Sequence, residues 1–167
     1  MVKIGEKAKD DKYFLPLRNR AKKLYQSLKP VKSSALGKKI YFPMNGFWHL
    51  IYPVKGRKAR PRGEQVGKLL HIKHAYEIIK RSNTIQEMDT RKSKYFMRIK
   101  GGRKCVERET EYWGLIAIVK NKCVKVIIKQ TGKKGNPHFW SVIPNWKVRK
   151  NKGKFARKMH KGNLEKN

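Results

Sequence analysis

"EYWGLIAIVKNKCVKVIIKQ", Glu111 to Gln130, is the stretch that decides the fold. Two runs rich in β-branched and aromatic residues, Glu111–Lys120 and Cys123–Gln130, flank the pair Asn121-Lys122. Two residues between strands is the spacing of a tight hairpin, and Asn tolerates the positive φ that such turns require. In the second run Val124, Val126 and Ile128 alternate with Lys125, Ile127 and Lys129, so one face is apolar and the other carries cations.

Working outward, "TGKKGNP" (Thr131–Pro137) is a longer turn before a further strand, "HFWSVIP" (His138–Pro144). Alternation puts His138, Trp140 and Val142 on one face of that strand, with Phe139, Ser141 and Ile143 on the other. Upstream, "KYFMRIK" (Lys94–Lys100) leads into a Gly-Gly pair, with Arg98 and Lys100 opposite Met97 and Ile99. About four antiparallel strands are therefore expected between residues 94 and 143. Before them, Val66, Leu69, Leu70, Ile72, Tyr76 and Ile79 form a helical stripe. Glu64 suits the first turn of that helix, Lys80 and Arg81 the last, and Ser82–Thr84 end it. "PLRNRAKKLYQSLK" (Pro16–Lys29) predicts a basic amphipathic helix, and "GFWHLIYP" (Gly46–Pro53) reads as a strand. Helices first and a run of short-linked strands after them define an α+β domain. The expected organisation is a basic N-terminal extension with a helix (1–45), a folded domain (46–145) and a basic, mobile tail (146–167).

The chain has 167 residues, 44 Lys plus Arg against 11 Asp plus Glu, and a formal charge of +33. With 38% hydrophobic and 10% aromatic residues it can bury a core, so the charge belongs to a folded protein. A field of that sign attracts polyanions, and RNA is the leading partner class. No apolar run approaches the roughly 18 residues of a spanning helix, and "MVKIGEKAKDDKYF" lacks the apolar segment of a secretory signal. Cys105 and Cys123 stand far apart with no Cys/His cluster beside them, which predicts thiols in a reducing, cytoplasmic setting.

His71 and His74 in "LLHIKHAYEIIK" admit three readings: metal ligands, residues of an ordinary helix, or an acid–base group. A metal needs a third ligand, and only Glu77 lies near in sequence. Imidazole exchanges protons near neutrality, which suits chemistry on RNA. The cationic, aromatic-bearing face of the sheet offers Arg91, Lys94, Lys125 and Trp140 for contacts to phosphates and bases.

"HIKHAYEII", "NTIQEMDTRKSKYFMRIKG" and "EYWGLIAIVKNKCVKVIIKQTGKKGNPHFWSVIP" together resemble phage-barnase-type members of the ribonuclease group that includes barnase, EndoU, colicin tRNases and RelE-like toxins. The resemblance covers roughly Leu70 to Pro144. It implies metal-independent RNA cleavage without a cofactor, in which the 2′-hydroxyl attacks its own phosphate and leaves a 2′,3′-cyclic phosphate. It implies His74 as general acid or base, with His71 undecided. His138 and Ser141 would be polar site residues of the last strand, and Lys129 and Arg98 would stabilise charge. A toxin of this kind implies an acidic antitoxin or immunity protein as partner. The competing expectation is a non-catalytic, ribosome-associated or other RNA-binding protein, for which charge alone suffices. A DNA-binding accessory role ranks below both, because no recognition helix is evident.

Overall fold

The computed structural model describes residues 10–53 and 58–145. The tail 146–167, expected to be mobile, lies outside the described residues. Helix α1, Asp11–Ser27, starts five residues before the expected Pro16 because Asp10 caps it, its carboxylate accepting from Lys12 N at 2.9 Å. Phe14, Leu17, Ala21 and Tyr25, spaced three and four apart, are its buried stripe. A small hairpin follows, β1 (Val31–Lys32) and β2 (Lys39–Ile40), which buries Val31 and Ile40. Residues of the expected extension from Phe14 to Ile40 thus contribute to the core.

"GFWHLIYP" is a helix, not the expected strand: α2 spans Met44–Ile51. Phe47, Leu50 and Ile51 recur at helical spacing and are all buried, whereas a short apolar run carries little periodicity to choose by. The helix crosses the last strand at Gly46. A Cβ there would sit 2.5 Å from both Phe139 O and Tyr25 Oη, so only glycine permits the approach. The helix expected through Leu69–Lys80 is two: α3 (Arg62–Leu70) and α4 (Ile72–Arg81), joined at His71.

The main sheet is four antiparallel strands in the order β3 (Glu87–Ile99), β4 (Gly102–Val119), β5 (Lys122–Thr131), β6 (His138–Pro144). The architecture is α+β, with helices first and an antiparallel sheet after them. The β4–β5 turn is centred one residue earlier than expected, on Lys120 and Asn121 (φ 48° and 62°), since Val119 pairs with Lys122. Val124, Val126 and Ile128 face the helical core as anticipated. The simple alternation expected for β6 fails. A bulge opposite Ile127/Ile128 makes Trp140 the extra residue, so Phe139 and Val142, three apart, both enter the core. Tyr112, Ile127, Trp140 and Ile143 pack together in a second cluster.

β3 and β4 outrun their neighbours. Pairing of β4 to β5 stops at Thr110, yet β3 and β4 continue from Lys92↔Glu109 to Ile99↔Gly102 as a two-stranded ribbon. Among the described residues no helix is long and apolar enough to cross a membrane.

Candidate functional site

The junction of α3 and α4 is built by His71. Its backbone (φ −101°, ψ 5°) leaves the helical region, and its N–H bonds to Lys68 O at 3.1 Å instead of the Gly67 carbonyl that a continuous helix would give it. The imidazole takes over that carbonyl, with Nδ1 2.7 Å from Gly67 O. A carbonyl only accepts, so Nδ1 carries the proton and the neutral ring presents its lone pair at Nε2. The sharp break therefore fixes the ring, its neutral tautomer and the direction of Nε2.

One turn on, His74 places its ring 5.3 Å from that of His71, tilted by 50°. Both histidines are half-buried. Burial holds the His74 pKa below its usual value, and His71, Lys120 and Lys73 add to the effect. Its Nδ1 is buried without a hydrogen-bond partner among the described residues, which further disfavours a doubly protonated ring. Lys120 comes from the β4–β5 turn and Lys73 from the first turn of α4. The paired imidazoles thus stand where α4 packs against β4 and β5, with the charges of two exposed lysines, Lys120 and Lys73, acting on His74. Among the described residues no three His, Cys, Asp or Glu side chains form a group able to hold a metal ion.

The other expected site residues lie elsewhere. His138 and Lys129 face each other across β5 and β6, seven residues from the Lys122 end of β5 and so about 23 Å away. There Lys129 Nζ lies 3.9 Å from the Trp140 ring centre, and His49 stacks on that ring at 4.0 Å. His138 Nδ1 donates to Asn136 O at 3.1 Å, and burial lowers its pKa. Ser141, expected in the site, is fully buried and receives a hydrogen bond from Lys68 Nζ at 3.2 Å; the same amine donates to Val142 O at 3.0 Å. Lys125, expected to meet RNA, is also fully buried and ion-paired with Glu87 beneath Gly114. Arg91 pairs with Asp89 at 2.7 Å, while Lys94 and Arg98 stand on the β3–β4 ribbon. The structure brings together His71 with His74, and Lys129 with His138 and Trp140. It separates those two groups from each other and from Arg98.

Sequence reasoning missed Lys120, Lys73, His49 and Lys68. The first two look like any surface lysines until the hairpin is folded against α4. His49 was hidden by the strand assignment. Lys68 is only 3% exposed; burial and Arg60 press its pKa down to about 8, partly offset by Glu64. Its place on the buried side of α3, with Gln65, Val66 and Leu69, was hidden because the stripe read from the sequence ran through Leu70, which is exposed.

No family model, curated protein or solved structure matches the chain.

Proposed function

We propose that this protein is a metal-independent endoribonuclease of the barnase-like, toxin type, with His74 and His71 as its acid–base pair. The observation that carries the reading is the paired, half-buried imidazoles beside Lys120 and Lys73. His74, held toward the neutral form, accepts the proton of the RNA 2′-hydroxyl as O2′ attacks the adjacent phosphorus. The pentacoordinate phosphorane carries extra negative charge, which Lys120 and Lys73 stabilise. The P–O5′ bond then breaks, and O5′ takes a proton from Nε2 of protonated His71. The products are a 2′,3′-cyclic phosphate and a 5′-hydroxyl end. His74 is left protonated and His71 neutral, and water-borne proton exchange restores both. Lys129 and His138 lie too far off for the same phosphate and serve RNA binding in this reading.

The test is incubation of the purified protein with transfer RNA and total RNA in EDTA, followed by analysis of the ends. Cleavage with cyclic phosphate ends that falls about 100-fold in His74→Ala supports the proposal. Tight binding with no cleavage favours the non-catalytic RNA-binding reading, which the +33 charge by itself would sustain.

A further inference from the structure

We infer that the projecting β3–β4 ribbon is a stacking surface for unpaired RNA, centred on Phe96 and flanked by Arg98 and Arg103. The inference rests on RNA being the ligand, as proposed above, but not on cleavage. Phe96 pairs with Cys105, five residues beyond the point where β4 leaves β5, so it stands about 17 Å out from the body of the sheet. It is 74% exposed, and Cys105 beside it is exposed too. A ring in that position stabilises no core.

Charge along the ribbon follows a pattern. Nearer the body, Lys92 faces Glu109 and Lys94 faces Glu107, each cation opposite an acid. Past Phe96, on the same face, Arg98 stands directly opposite Arg103. Like charges across a strand pair destabilise it, so this arrangement works against the ribbon's own folding. An exposed ring and a repelling arginine pair, side by side, break two local rules with no gain to the fold, and such sites are where function is expected. An anion seated between the two guanidinium groups removes the repulsion, and the ring beside them offers its face. A nucleotide supplies both partners: a phosphate for Arg98 and Arg103, and a base for Phe96.

Unpaired RNA fits better than a duplex. Bases in a duplex already have both faces stacked, and the deep, narrow major groove of A-form RNA does not admit side chains. The ribbon projects away from the His71–His74 corner, at the opposite end of β4 from the β4–β5 turn. It would therefore hold a strand remote from the reacting phosphate, selecting RNA with a single-stranded stretch on that side.

The experiment measures binding of a fluorescent oligouridine of about 12 nucleotides carrying 2′-O-methyl groups, alone and as a duplex with its complement. This probe lacks the attacking hydroxyl, so the result is independent of whether the protein cleaves RNA. Phe96→Ala and Phe96→Leu should each weaken single-strand binding about 10-fold, by the usual worth of one base–aromatic stack. Phe96→Tyr should bind as the parent does, and duplex binding should change less than twofold in all three. Ile118→Ala removes an equally exposed apolar residue far from the ribbon and should leave both affinities unchanged. Arg98→Ala with Arg103→Ala should weaken the single strand and raise the thermal stability. Parent-like single-strand binding by Phe96→Leu would overturn the inference, since leucine keeps the apolar bulk and loses only the ring. Equal loss of duplex and single strand would overturn it as well, in favour of a wedge into a groove.

Discussion

A positive charge on His74 is opposed first by burial and then by His71, Lys120 and Lys73. In the proposed cleavage, the acidic limb of the rate profile, where activity rises as this imidazole loses its proton, should therefore lie below the ordinary histidine value of about 6.5. Lys120→Ala removes one opposing cation and should move that limb upward while lowering the maximal rate. A rate loss without a shift would place Lys120 away from His74 in solution. Lys68 gives a second measurement, on stability. Its amine titrates at about 8 in the folded protein against 10.5 ordinarily, so between those values the unfolded chain binds more protons. Stability should be insensitive to this group below about pH 8 and rise with pH from there to about 10.5, by at most roughly 3 kcal/mol. Urea unfolding across that range should show a clearly smaller rise in Lys68→Met. Lys125, also lowered by burial, is expected to keep some slope in place. An unchanged slope would mean that Lys68 is solvated in solution.

At the scale of elements, Gly46 tests how α2 meets β6. Gly46→Ala brings a methyl group against Phe139 O and Tyr25 Oη and should cost about 1–3 kcal/mol, the range for overpacking. Gly63→Ala, in α3 with nothing within 4 Å, should be neutral or mildly stabilising; thermal unfolding of the pair separates crowding from helix propensity. The same elements explain what could be read from sequence. The β4–β5 hairpin was legible because alternating Val and Ile positions coincide with a two-residue turn. The first halves of β3 and β4 were not, because "QEMDTRKS" and "KCVERET" are mostly polar: the one lies on the edge strand of the sheet and the other in the two-stranded ribbon, so neither has two neighbours and a core to write an apolar pattern. The break at His71 was invisible because its neighbours keep helical spacing on both sides, and only the exchange of Gly67 O between backbone and imidazole marks it. The Phe-Trp-Ser order of β6 misled because one bulge resets the period of two. The pairing of His71 with His74 survived all this, since residues three apart on neighbouring turns meet whether or not the helix bends between them.

For the molecule as a whole, charge and chemistry make separable contributions. A +33 protein that neutralises many phosphates should lose about 1,000-fold or more in RNA affinity between 50 and 200 mM salt. If the proposed cleavage holds, the loss should appear in KM, while kcat changes little. The same field would draw an acidic partner protein rapidly, with an association rate that falls as salt rises. His74→Ala leaves the formal charge at +33, because histidine is counted neutral, and it alters a half-buried ring outside the core. It should therefore bind RNA, and any acidic partner, as the parent does. Expression in bacteria without that partner should slow growth for the parent chain and not for His74→Ala, with equal protein levels verified by blotting. If both chains slow growth equally, the harm comes from sequestering RNA through charge, and the ribonuclease reading falls. If growth recovers only in His74→Ala, two proteins of identical charge differ by one proton-transferring group, and that difference is catalysis.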